Sequence, residues 1–111
     1  MKLVIALVVL ILFFGAKTAL GRDNVDSEQQ RAKNAICDIF ESYCRQALSV
    51  SWCESRWRVW AKNGQYLGLF QMGSWERRKY GHGDGGYAQA RAAFRYFIAS
   101  GRDWGPWDCK P

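Results

Sequence analysis

Cys37, Cys44, Cys53 and Cys109 constrain this 111-residue chain more than any other feature, because of what precedes them. Lys2 is followed by an unbroken apolar run, Leu3 to Ala16, 14 residues long. A membrane-spanning helix needs about 20, so the run reads as the hydrophobic region of a signal peptide. Ala19-Leu20-Gly21 then offers the small residues a signal peptidase favours, with cleavage before Arg22. The other reading is an uncleaved membrane tether through residues 3–20. Under both, residues 1–21 are a leader or anchor, and the rest is secreted or extracytoplasmic. Four cysteines in a small exported domain form two disulfides.

Three pairings are open. Cys44 and Cys53 fall on one expected helix, nine residues apart, which separates their Cα atoms by ~13 Å. A disulfide spans less than ~7 Å, so the pairing containing Cys44–Cys53 is disfavoured. Of the two left, a local clip Cys37–Cys44 with a long staple Cys53–Cys109 is preferred. Closing so long a loop stabilises by ~4 kcal/mol in the chain-entropy view. A zinc site fits poorly: no C-x-x-C is present and His82 is the single histidine. No metal or cofactor is expected.

Residues 22–111 hold 14 basic and 10 acidic residues and all six tryptophans. Ninety residues suit one small domain and not two. Coiled coil, collagen, repeat array and polytopic membrane protein are excluded by composition and the lack of any period. The positive charge suits an anionic envelope or a solvated surface. Nucleic acid is not an expected partner, because the arginines are scattered (Arg56/Arg58, Arg77/Arg78, Arg91/Arg95) without a basic-aromatic recognition motif. A monomer is expected.

Along the chain, residues 22–34 are a polar segment and the start of a first helix, capped by Asp26 or Ser27. That helix runs through Ala35, Ile36 and Ile39 and breaks near Glu41-Ser42, since a Cys37–Cys44 bridge cannot span two turns of one straight helix. A second helix runs from about Tyr43 to Glu54. Trp57, Val59 and Ala61 then alternate toward Asn63-Gly64, a strong hairpin signal. Gly68 and Gly73 bracket Leu69-Phe70-Gln71-Met72, so tight turns are expected on both sides. Ser74 caps a short helix through Lys79, and Tyr80 to Gly86 is loop. Tyr87 to Ser100 is an amphipathic helix with Ala90, Phe94, Phe97 and Ile98 as its stripe and Gly101 at C′. The fold class is therefore mainly α with a small β-hairpin, stapled by disulfides.

Most carboxylates lie among polar or basic neighbours. Glu54 does not: it ends a helix beside Trp52, Trp57 and Trp60. Desolvation there raises a carboxyl pKa and suits it to general acid chemistry. The alternative is a plain ion pair with Arg56 or Arg58. The tryptophans carry a parallel ambiguity, between core filling and flat faces lining a sugar-binding cleft. A Ser/His/Asp arrangement around His82 lacks nearby partners.

Cys53-Glu54-Ser55, Ala61, Asn63-Gly64 and Gly68-Leu69-Phe70-Gln71-Met72, in that order, resemble the lysozyme-like lytic transglycosylase family. The Cys-Glu start and the closing Trp104-Gly105-Pro106-Trp107-Asp108-Cys109 resemble its small subset that includes the resuscitation-promoting factors. There too, a cysteine beside the catalytic glutamate pairs with one near the C-terminus. The resemblance implies a minimal lysozyme-like domain over residues 35–111, acting on peptidoglycan glycan strands. It makes Glu54 the acid/base that cleaves between N-acetylmuramic acid and N-acetylglucosamine, leaving a 1,6-anhydro end. Gln71 and the backbone of Gly68, Phe70 and Met72 would border the substrate, with Trp75, Tyr80 and Trp57 as further candidate contacts. Asp84 is a candidate second carboxylate for a hydrolytic muramidase, and a non-catalytic cationic wall-binding module is the remaining alternative. The Ala-Tyr-Asn-Ala-Gly segment of larger members is absent, so the tyrosine that faces the glutamate has no assignment by sequence.

Overall fold

The computed structural model describes residues 26–111. The leader, its cleavage site and the first residues of the polar segment lie outside them. Helix α1 covers residues 26–40 of the described chain, so Asp26 and Ser27 are already helical instead of capping it. A 3-10 turn, Glu41–Tyr43, then breaks the path, with Glu41 at a φ of 52°. Helix α2 is Cys44–Ser55. Strands β1 (Lys62–Asn63) and β2 (Tyr66–Leu67) form an antiparallel hairpin. Helices α3 (Ser74–Tyr80) and α4 (Gly86–Ala99) pack together. This is a mainly helical α+β domain with two disulfides, Cys37–Cys44 and Cys53–Cys109. No helix among the described residues is long and apolar enough to cross a membrane.

The core is aromatic and has Phe40, the last residue of α1, at its centre. Its ring meets Phe70 at 5.4 Å, Phe94 at 5.2 Å and Trp104 at 5.6 Å between centroids. Phe97 and Trp104 approach to 4.5 Å. The C-terminal tail has no helix or strand of its own, and indole N–H groups anchor it. Trp104 donates to Gln46 Oε1 at 2.9 Å and Trp107 to the Phe70 carbonyl at 3.0 Å. These bonds let large rings be buried without stranding a polar atom. Lys110 closes the tail by donating to the carbonyls of Trp104, Gly105 and Trp107.

A buried loop occupies the space between α2 and α4. Leu67 and Met72 exchange both backbone hydrogen bonds at 3.1 Å, so residues 68–71 form a tight turn. Its Leu69 peptide is held on both sides. The Leu69 carbonyl accepts from the hydroxyls of Ser51 and Ser55, each at 2.8 Å, while its N–H donates to Gln89 Oε1 at 2.8 Å. Gln89 is only 3% exposed, and its amide nitrogen reaches the carbonyls of Val59 and Gly83. Gly68 enters the turn at a φ of +81°, with Gln89 Oε1 2.5 Å from where a Cβ would stand.

Several local expectations are corrected. The alternation of Trp57, Val59 and Ala61 does not make a strand. Arg56 and Trp57 are both left-handed, and turn hydrogen bonds Arg58 N–H to Ser55 and Ala61 N–H to Arg58 consume that stretch. The hairpin turns at Gly64-Gln65, because Asn63 pairs with Tyr66. Gly64 alone has positive φ, as a turn with glycine first in a two-residue loop requires. Ser74 begins α3 instead of capping it: Gly73 is the N-cap, and Gln65 Oε1 accepts the Ser74 N–H at 3.3 Å. In α4, Ile98 is exposed, and Gln89, Ala92 and Ala93 join Ala90 and Phe97 on the buried side. Gly101 does take the left-handed position after the helix.

Replacing Gly68 with Ala combines backbone strain with a clash against Gln89, and should destabilise by about 2–4 kcal/mol. Gln89→Leu strands the Leu69 N–H and should lower stability by a similar ~2–4 kcal/mol. Urea denaturation of both variants measures this. Losses under about 1 kcal/mol would show that the clamp on Leu69 is dispensable.

Candidate active site

Glu54 sits one residue before the end of α2, where the helix stops because Arg56 turns left-handed and donates its N–H to the Trp52 carbonyl. The side chain is half-buried at one wall of a cleft of about 200 Å³. Facing residues come from three further segments: Asn63 and Tyr66 from the hairpin, Gln71 to Gly73 with Glu76 from the buried turn and α3, and Tyr96 from α4. Pro106, Trp107 and Asp108 of the tail complete it. The Cys53–Cys109 disulfide brings the tail there, and Cys109 Sγ lies 3.4 Å from Glu54 Oε1. A disulfide sulfur has no proton to give, so this is contact and not a hydrogen bond.

Burial raises the Glu54 pKa above its ordinary 4.5, the Asp108 carboxylate raises it further, and Lys110 opposes both. The suspected ion pair with Arg56 or Arg58 does not form. Arg56 lies over the Trp52 ring, Arg58 lies over Trp60, and the Arg58 Nε–H is donated to the Ser55 carbonyl. Tyr96 is also shifted upward, by burial, by Glu76 and by Tyr80. Gln71 spends its amide nitrogen on the carbonyls of Ala61 and Gly68, at 3.1 and 3.0 Å. Its amide oxygen is the atom left for a ligand.

Among the residues singled out by sequence, the cleft gathers Glu54, Gln71 and Met72. Gly68 and Phe70 lie behind its wall: Gly68 is buried under Gln89, and Phe70 is 1% exposed in the aromatic core. Tyr80 stacks on Tyr96 at 5.2 Å, one layer back from the opening. Trp75 is exposed on α3 with Lys79 over its ring, and does not line the cleft. Trp57 packs on Trp52 at 4.5 Å and donates its indole N–H to the Leu48 carbonyl, also away from it. Asp84 lines a separate hollow with His82, Ser74 and Arg77. The His82 Nε2 atom is buried without a hydrogen-bond partner, and burial with Arg77 nearby lowers its pKa. Among the described residues, no three His, Cys, Asp or Glu side chains converge as metal ligands.

Sequence reasoning missed Asn63, Tyr66, Glu76, Tyr96 and Asp108 as cleft residues. For Asp108 a signal existed, since a Cys53–Cys109 bond makes neighbours of residues 54 and 108. Tyr96 gives none, because it flanks the apolar stripe of α4 instead of belonging to it. Compared with known proteins, the chain matches no family model, no curated protein and no solved structure.

The raised Glu54 pKa has a stability consequence with a definite sign. Between the ordinary value of 4.5 and the higher native value, the folded protein holds a proton that the unfolded chain has released. Stability therefore falls as pH rises through that window. Glu54→Gln removes the penalty: the variant should melt higher than the wild type at pH 7, with the gap closing at pH 3.5. Thermal melts at both values check it, and a variant that melts lower at pH 7 would contradict the burial argument.

Proposed function

We propose that this protein is an exported peptidoglycan-cleaving enzyme, a lytic transglycosylase acting between N-acetylmuramic acid and N-acetylglucosamine. The observation that carries the reading is a single glutamate of raised pKa, at a helix end, inside a cleft walled by a glutamine, two tyrosines and a tryptophan. The Glu-Ser and Gly-Leu-Phe-Gln-Met blocks resemble the corresponding family elements, and Glu54, Gln71 and Met72 from them line that cleft. Protonated Glu54 donates to the bridging oxygen as the C1–O bond breaks, and positive charge develops at C1 of the muramic residue. The resulting carboxylate then accepts the proton of the muramic C6 hydroxyl, whose oxygen bonds to C1. The products are a 1,6-anhydro end and a free 4-hydroxyl, with Glu54 restored to its acid form.

A hydrolytic outcome is the second reading, and Glu76 and Asp108 favour it because both line the cleft with Glu54. A second carboxylate at the right separation activates water or stabilises the cation in hydrolytic glycosidases. Asp84 is not the candidate for this role, since it faces another hollow.

Incubation with purified peptidoglycan and mass spectrometry of the fragments distinguishes these. Anhydro-muramic ends are expected, and reducing ends would assign a muramidase instead. Glu54→Gln should lower the rate by about 10²-fold or more, whereas an unaffected Gln variant would refute the mechanism. Wall binding with no product from the wild type would leave a binding module alone.

A further inference from the structure

A second surface, sharing no residue with the cleft, is built from tryptophans each covered by a cation. Trp52 and Trp57 pack together, Arg56 lies 4.7 Å over Trp52, and Lys33 of α1 lies 4.6 Å over Trp57. Next to them Arg58 lies 5.0 Å over Trp60, the most exposed large hydrophobic side chain of the described residues at 65%. Arg56 and Trp57 hold consecutive left-handed conformations at a position where glycine is the usual helix terminator. That backbone choice turns Arg56, Arg58 and Trp60 outward, while Trp57 and Val59 stay half-buried against the core, and the result is one cationic, aromatic ridge. A hollow of about 410 Å³ adjoins it, with Trp60, Val59, Ala32 and Ala35 supplying apolar lining.

The N-terminal part of α1 lies at this ridge. Gln29, in the first turns of α1, donates its side-chain amide to the Arg56 carbonyl at 3.1 Å, so α1 enters the domain beside the ridge. With residues 3–20 retained as the tether, the apolar run Leu3–Ala16 ends ten residues before residue 26, a reach of at most ~35 Å. We propose that the Arg56–Trp60 ridge is a membrane-contact surface that seats the domain on an anionic bilayer. Indole rings favour the headgroup level, where an apolar body and a polar edge are both satisfied. The cations over them meet anionic headgroups. The adjoining hollow exposes mostly apolar surface, but Glu28, Arg31, Asn34 and Tyr87 also line it, so a glycan is the competing occupant that the test has to separate.

The test uses the full chain in vesicles of phosphatidylcholine alone or with phosphatidylglycerol, carrying brominated acyl chains that quench nearby tryptophan. The neutral vesicles give the baseline set by residues 1–25. Quenching should be greater in anionic vesicles, and Trp60→Phe should remove much of the excess. Arg56→Gln with Arg58→Gln should weaken the contact by roughly five-fold per charge, returning quenching towards the neutral baseline. Near-UV circular dichroism confirms that the fold persists, as side chains this exposed allow. Equal quenching in both lipids, or a double variant like the wild type, would overturn the proposal. So would displacement by soluble peptidoglycan fragments, which would assign the ridge to glycan.

Discussion

One buried peptide, at Leu69, organises the domain. A chain of this size cannot close a core around a loop whose backbone polar groups lack partners, because each stranded group costs about 1–3 kcal/mol. Here two serines from α2 satisfy the carbonyl and a glutamine from α4 satisfies the N–H. The turn from Gly68 to Gln71 is thus fixed between the two main helices and carries Phe70 into the aromatic core. Gln71 and Met72 leave that turn directly into the cleft, so the position of both depends on contacts made behind them.

The cleft shows how a few constraints converge. The left-handed stop of α2 ends the helix one residue after Glu54. The hairpin caps α3 through Gln65, which places Glu76 across from α2's end. The tail closes the remaining side with Trp107 and Asp108. Four further segments therefore wall the cleft that holds Glu54, and its acidity is a property of the assembled fold.

Much of this architecture was legible in the sequence. Spacing disfavoured only the Cys44–Cys53 pairing, but the preferred pairs Cys37–Cys44 and Cys53–Cys109, the helix break near Glu41 that the first demands and the terminator Gly101 are all in the structure. Glu54 stood out because its sequence neighbours are aromatic, yet Trp52, Trp57 and Trp60 lie away from the cleft, whose one tryptophan is Trp107 of the tail. Opaque were the features that arise only from three-dimensional packing. Gln89 reads as an ordinary polar helix residue, yet it is buried because three loop carbonyls and one N–H need it. Phe70 was selected with its motif neighbours, although alternation in a tight turn sends it inward while Gln71 faces out. Tryptophan count alone could not separate Trp104 and Trp107, buried through their indole bonds, from Trp60, which is not.

The bond from Cys53 to Cys109 also sets an order of events. Fifty-six positions separate the two cysteines, so the last wall of the cleft is synthesised well after Glu54. Until oxidation joins them, no covalent link holds Trp107 and Asp108 beside Glu54. A newly made chain in a reducing environment has its glutamate but lacks the bond that fixes its surroundings. The bonded cysteine, residue 53, and the proposed acid, residue 54, are adjacent, so the thiol chemistry of the first prepares the surroundings of the second.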